Sequence, residues 1–533
     1  MELTVGERRW SIFGGVTALA VIAGFCAAAL AALLLFDGAA AGSIFDAYTL
    51  KVLRFTLWQA LLSTLFSVLL GAPVALALAR RPVFPGRVWV LRLLAVPMGL
   101  PVLIGALGLL GIWGRQGIAN DFLAGLGLSQ PVSVYGLFGI LLAHVFFNMP
   151  LAARLLLIGL ERIPSEYWRV SASLGMSSFS VFRFVERPVI LGLLPGVAGL
   201  IFMLCATSFT LVLVLGGGPS ATTLEVAIFQ ALRFDFDPPR AVALCLMQLL
   251  MAGALLAVMA RFPAPADHGV THGGTVRRFD GWHVSSRLYD GGVIVLAVLF
   301  TALPLMAVAV AGLAAHPWTL VAGAAFRRAA ITSFSIAVFA ATLALMLAVA
   351  MIRARQVVGL WPVFSSALGG AGSLVLVVSP LILGTGWFLI LRPFGDVARF
   401  APFLVVVINA LMALPFVLRV LEPAFAVHAA RSGRLAASLG IMGFNRLRLV
   451  DLPVLWRPLA TGFSFAMALS LGDLGAVALF GSDDLVTLPY LIYSRMGSYR
   501  TTEADGFALI LGLVCLALTV IGTLNAREVS HEK

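Results

Sequence analysis

Twelve runs of apolar residues, each bounded by charge, proline or glycine, recur along the 533-residue chain at roughly 11–36, 55–79, 93–113, 135–158, 188–215, 241–260, 290–313, 331–352, 363–391, 402–421, 458–480 and 504–524. A helix needs about 20 apolar residues to cross the hydrocarbon core of a bilayer. In lipid, only helices and closed barrels satisfy the backbone internally, so runs of this length read as helices. Composition agrees: 61% of residues are apolar and 11% charged, against about 25% charged in ordinary soluble domains. Too few charges are present to cover soluble cores. The reading is an all-α polytopic membrane protein with about twelve transmembrane helices, which excludes a soluble enzyme, a nucleic-acid-binding domain and a disordered scaffold.

The net charge is +12. In a soluble protein that surplus would point to nucleic acid, but here about two-thirds of the Lys and Arg fall in segments on the side of the N-terminus, which is the pattern of cytoplasmic loops. Both termini are therefore expected in the cytoplasm. Arg8 and Arg9 precede a first run too long for a signal peptide, although Ala39, Ala40 and Ala41 resemble a cleavage site; it reads as a retained helix. Cys26, Cys205, Cys245 and Cys515 sit inside apolar runs without CxxC pairing, a pattern of neither disulfides nor metal binding.

The chain repeats itself. At a fixed offset of 265, Pro150 falls on Pro415, Arg154 on Arg419, Arg169 on Arg434, Gly175 on Gly440, Arg183 on Arg448, Glu186 on Asp451 and Pro188 on Pro453. Upstream, Pro101 and Gly105 fall on Pro380 and Gly384 at an offset of 279, the difference being taken up in the connection near Gly114–Val134. The expected organisation is a first six-span half over 1–260, a cytoplasmic linker over 261–289 and a second six-span half over 290–533. Both halves start on the same side, so the repeat is parallel.

After spans four and ten come the longest connections on the cytoplasmic side other than the linker, at about 159–187 and 422–457. The first contains Arg169-Val-Ser-Ala-Ser-Leu-Gly175, nine residues, then Val185-Glu-Arg-Pro188; the second contains Arg434-Leu-Ala-Ala-Ser-Leu-Gly440, nine residues, then Val450-Asp-Leu-Pro453. Small residues flanked by Arg predict a short helix that another protein can approach, ended by a left-handed Gly, with Pro opening the next spanning helix.

This pattern resembles the EAA loop of binding-protein-dependent ABC importer permeases, whose consensus is Glu-Ala-Ala, three residues, Gly, nine residues, Ile-x-Leu-Pro. The Gly-to-Pro spacing is met twice and Ala436 keeps one alanine, whereas Arg169 and Arg434 replace the Glu, and Val185 and Val450 the Ile. The resemblance implies a type I ABC importer permease fold and a coupling helix that docks on a cytoplasmic ATPase present in two copies. It assigns that contact to Arg169, Ser171, Ala172, Leu174 and Gly175, and to Arg434, Ala436, Ala437, Leu439 and Gly440. Segments at 208–219, 221–225, 234–238, 471–475, 480–484, 487–489 and 497–500 are similar to those of the fused thiamine and thiamine pyrophosphate permeases; fused ferric-iron permeases are the alternative. A periplasmic binding protein is the implied partner for 216–240 and 481–503. The resemblance places the chain in the bacterial inner membrane.

Asp473 is the one carboxylate set well inside a run, and Ser208 is its mate in the repeat. Buried ionisable groups in membranes default to functional hypotheses; here both would line the translocation path, the competing reading being a hydrogen bond to a neighbouring helix. His144 and Asn409 are likewise mates, with a path role set against helix-to-helix bonding. The Gly216-Gly-Gly218 run lacks the lysine of a P-loop. ATP hydrolysis is thus expected on a separate chain, with no cofactor or metal here. A proton-coupled secondary transporter, the rival reading, would need more ionisable groups at depth, and a membrane-embedded transferase would need an acidic cluster at one interface.

Overall fold

A computed structural model describes residues 5–36, 45–115, 117–127, 132–262, 278–281, 283–357, 364–365, 368–370, 372, 378–439, 441, 443–482 and 485–531. The main helices in chain order are α1 (Val5–Leu34), α2 (Ala47–Arg80), α3 (Val102–Trp113), α4 (Leu137–Glu161), α5 (Ser165–Ser173), α6 (Arg187–Ala206), α7 (Thr210–Leu215), α8 (Leu224–Arg233), α9 (Pro238–Met259), α10 (Val284–Ala314), α11 (Ala324–Val357), α12 (Pro380–Leu391), α13 (Ala401–Ser438), α14 (Leu452–Gly472), α15 (Gly475–Phe480), α16 (Leu488–Gly497) and α17 (Thr501–His531). Among the described residues there is no strand.

Eleven helical segments are long and apolar enough to cross a membrane, and Pro380–Phe394 is a shorter apolar helix. The protein is an all-α, multi-pass membrane protein. Nine residues of the expected span at 363–391 lie outside the described residues, and its longest described part is α12. Three expected spans are interrupted. The run at 93–113 is cut near Pro97 and Pro101, and only α3 continues unbroken, because proline can neither donate nor fit behind the preceding turn. The runs at 188–215 and 458–480 stop at Ala206 and Gly472, then resume as the short α7 and α15. These two breaks are mates: α7 and α15 start and end 265 residues apart.

The described residues form two compact units. One falls within Phe45–Ala227 and Leu250–Ala311, the other within Met1–Ile44, Ile228–Leu249 and Gly312–Lys533. Each unit therefore takes its leading helix from the other half of the sequence. In the first unit α10 lies against α3 and α4. A Cβ on Gly108 would sit 2.4 Å from the Pro304 carbonyl oxygen, and Phe300 meets Phe146 edge-on at 6.4 Å. In the second unit α1 lies against α12: Trp387 Nε1 donates to the Phe25 carbonyl at 3.2 Å, and the two rings stack at 4.7 Å. A Cβ on Gly386 would meet the Ala29 carbonyl oxygen at 2.3 Å. Close backbone approach through glycine is how helices gain packing in lipid, where there is no hydrophobic drive between them.

Candidate functional site: two repeated loops

The first loop begins where Pro164 ends the chain's run out of α4. The pyrrolidine leaves Ile163 and Pro164 non-helical and then sits just before the first turn of α5, a position proline tolerates. The far end of α5 closes as the sequence predicts. Gly175 is left-handed, with φ +62°; its N–H donates to Ala172 O at 3.1 Å, and the Met176 N–H reaches back to Ser171 O at 3.0 Å. This paired closure satisfies two carbonyls that the helix end would leave bare.

The second loop closes by the same long bond: the Ile441 N–H donates to Ala436 O at 3.0 Å, and 441 and 436 are the mates of 176 and 171. Gly440 lies outside the described residues, as do the side chains of Arg434 and Ala437. The approach differs. The mate of Pro164 is Ala429, and α13 runs for 38 residues with Pro415 and Pro423 inside it. At 1.5 Å per residue that is about 57 Å, well beyond a bilayer core of roughly 30 Å. The expected separate connection from 422 onward is thus helical continuation as far as Ser438.

Burial sorts the predicted contact residues, and it sorts both loops alike. Ser171 is 6% exposed and its mate Ala436 is 2% exposed; Leu174 is 70% exposed and its mate Leu439 is 64% exposed. Ala172 is half-buried, and Arg169 and Gly175 are exposed. Ser171 and Ala436 therefore face the permease itself, where small side chains allow close packing. On α5 the outward stripe is Tyr167, Val170 and Leu174, a run of apolar side chains at helical spacing.

Beyond each Gly cap lies a second shared element. In both halves the turn before the helix-opening proline is widened, over Phe182–Glu186 and over Leu447–Asp451; in the first, the Arg187 N–H donates to Phe182 O, five residues back. Pro188 and Pro453 supply the cause: proline has no N–H and crowds the carbonyl four residues earlier. Such widened turns concentrate at functional sites. Each ends in a buried carboxylate, Glu186 or Asp451.

The two carboxylates find different cations. Glu186 Oε1 accepts from Arg278 Nη2 at 2.7 Å, and the same guanidinium bonds Asp280 at 2.6 and 3.0 Å. Arg278 also lies 4.0 Å above the ring of Trp168 on α5. Arg80 pairs with Asp280 at 3.3 Å and with Asp290 at 2.9 Å, and Arg81 reaches Asp290 at 3.0 Å. Burial alone would lower the Arg278 pKa, but hydrogen bonding to Asp280 and the charge of Glu186 outweigh it and hold the group above its ordinary value. Asp451 instead accepts from His428 Nε2 at 2.8 Å and Arg353 Nη2 at 3.1 Å, with Arg446 at 3.7 Å.

The residues predicted for a translocation path fall as follows. His144 is buried on α4 and shares a 2.8 Å hydrogen bond with Ser63 of α2. Asn409 is buried on α13 and donates to Ser470 Oγ at 2.9 Å. Ser208 lies half-buried between α6 and α7. Asp473 lies at the matching break between α14 and α15, where it accepts from the Gly475 and Ala476 N–H groups at 3.2 and 3.3 Å; it caps the short helix. Sequence reasoning overlooked Trp168, Arg278 and His428. The signal available was the pairing of Glu186 with Asp451 in the repeat, since a buried acid at the head of a membrane helix requires a cation.

No family model matches the chain. Among curated proteins, it is 49% identical over 520 residues to the thiamine transport system permease protein of Brucella suis, covering 97% of this chain and 95% of that protein. Against the thiamine transport system permease protein of Escherichia coli K12 the identity is 44% over 499 residues, 91% of each. A molybdenum transport system permease protein of Mycobacterium bovis is 33% identical over 211 residues, 38% of this chain and 76% of that protein.

Proposed function

Because the chain belongs to the thiamine transport system permeases, an ABC importer family, we propose that it carries thiamine or thiamine pyrophosphate across the bacterial inner membrane. The identity spans nearly the whole chain, which favours this cargo over ferric iron. A periplasmic binding protein delivers the substrate, and two copies of a cytoplasmic ATPase supply the work. Both termini, the 261–289 linker and both loops lie on the ATPase side, with the six-span halves at 1–260 and 290–533.

The observation that carries the mechanism is the matched register of the two loops. Leu174 and Leu439 stand exposed at repeat-related positions while Ser171 and Ala436 hold each loop against its own unit. The outward residues Arg169 and Leu174 in the first loop and Leu439 in the second meet the ATPase, and Arg434 is the repeat mate of Arg169. Left-handed Gly175 sets the turn that presents the first pair, and Gly440 is its mate in the repeat. Closure of the ATPase dimer on ATP moves both loops together, and the long helix α13 and the salt-linked head of α6 pass that motion to the spans. Asp473 and Ser208, at the matching helix breaks, stand along the path, whereas the bonds of His144 to Ser63 and of Asn409 to Ser470 favour helix-to-helix ties for those two.

The test is uptake into proteoliposomes holding this chain, the ATPase and the binding protein. ATP-dependent accumulation of labelled thiamine, with ferric ion excluded, is the expected result. Thiamine uptake by this chain alone, driven by a proton gradient without ATP, would overturn the reading.

A further inference from the structure

The segment over 261–289 was expected as a cytoplasmic linker between the halves, yet its residues 278–281 are built into the first loop. Phe279–Gly281 is the principal element packed against α5. Asp280 and the Arg278 guanidinium are buried, and Ser178 Oγ donates to the Asp280 carbonyl at 2.9 Å. Gly281 lies so close to α2 that an added Cβ would stand 3.3 Å from both Arg80 Cγ and Arg81 Nη1. Four linker residues thus join α2, α5, the widened turn and the head of α6.

We propose that Arg278 is a positioning residue for ATP coupling: its stack on Trp168 and its ion pair with Glu186 fix the first coupling helix to the head of α6, making the linker a working part of the transmission. Nine-residue α5 is separated from α4 by Pro164 and is too short to hold itself together in water. The second loop has no such break, being the continuation of α13, and the mate of Trp168 is Gly433. The Arg278 stack stands where the helix is detached; where it is continuous, the position of Trp168 is a glycine.

The inference rests on the coupling reading, and its test separates the two. Thiamine transported per ATP hydrolysed is measured for the full chain with its ATPase and binding protein in proteoliposomes. The variants are Trp168→Leu, Arg278→Ala, Arg278→Lys and the pair Trp168→Leu with Arg278→Ala. The expected result is a roughly three- to thirtyfold fall in that ratio for Trp168→Leu and Arg278→Ala, the range of coupling changes along a packed network. Arg278→Lys should recover part of it, and the pair should be no worse than Arg278→Ala. An unchanged ratio in Trp168→Leu overturns the proposal even where Arg278→Ala fails to insert, and so do losses that multiply in the pair. Failure of the coupling reading looks different: no ATPase co-purifies with the wild-type chain.

Discussion

The loop after α4 and the loop after α13 meet one structural demand in two ways. Both need a cation for a carboxylate buried at a proline-widened turn, and both present a leucine outward from a stretch closed by the same long hydrogen bond. In the first loop, Ile163 and Pro164 break the approach, and the cation arrives from the linker 92 residues away in sequence. In the second, the mates of those residues are His428 and Ala429, so the helix continues and brings His428 to Asp451, while α11 supplies the cation Arg353. Duplication has preserved the demand, and the local backbone decides who answers it.

The comparison breaks most readily at the carboxylates. Glu186→Ala removes a fully enclosed acid and leaves Arg278 buried beside Asp280 alone, so it should destabilise the protein by about 3–5 kcal/mol. Asp451→Ala should cost less, about 1–3 kcal/mol, because Arg353 keeps 36% of its side chain in solvent. Thermal unfolding of both variants in detergent measures this, and equal losses would show that the two clusters carry equal weight.

Ala429→Pro imposes the first loop's break on the second. A proline inside α13 should cost about 3 kcal/mol and carry His428 away from Asp451. ATP-driven uptake should fall with it, because His428 rides on the same helix. Retention of full uptake would show that continuity of α13 is not what holds the second loop.

The smallest expected effect is Gly175→Ala. Space around that Cβ is open, so the cost is the left-handed backbone alone, about 1–2 kcal/mol, with the position of Leu174 altered and uptake reduced. Insertion should be unaffected, which surface labelling of the membrane-embedded chain checks.

Much of this was legible in the sequence. Apolar run length and the scarcity of charge point to the membrane class, and the 265-residue offset pairs Gly175 with Gly440 and Glu186 with Asp451. The left-handed Gly175 was legible too, since a run of small residues ended by glycine admits few closures. The exchange of leading helices was not, because packing in lipid depends on close approaches such as Gly108 on Pro304 and Gly386 on Ala29, which leave no periodic signature. Nor were the partners of Glu186. A polar linker rich in Pro, Gly and His reads as a tether, and nothing local distinguishes Arg278 from Arg277. Ser171 and Ala436 looked like contact residues because they are small; it is smallness that lets them turn inward, leaving Leu174 and Leu439 outward.

The central claim is that the two loops dock alike although they are braced differently. Cysteine cross-linking measures it directly, with Leu174→Cys and Leu439→Cys placed singly in the chain and the ATPase carrying one cysteine in its docking cleft. Cross-links of similar yield from both positions, each changing when ATP is trapped, are the predicted result. A cross-link from one position only, or from neither in a complex that still transports thiamine, would contradict the account.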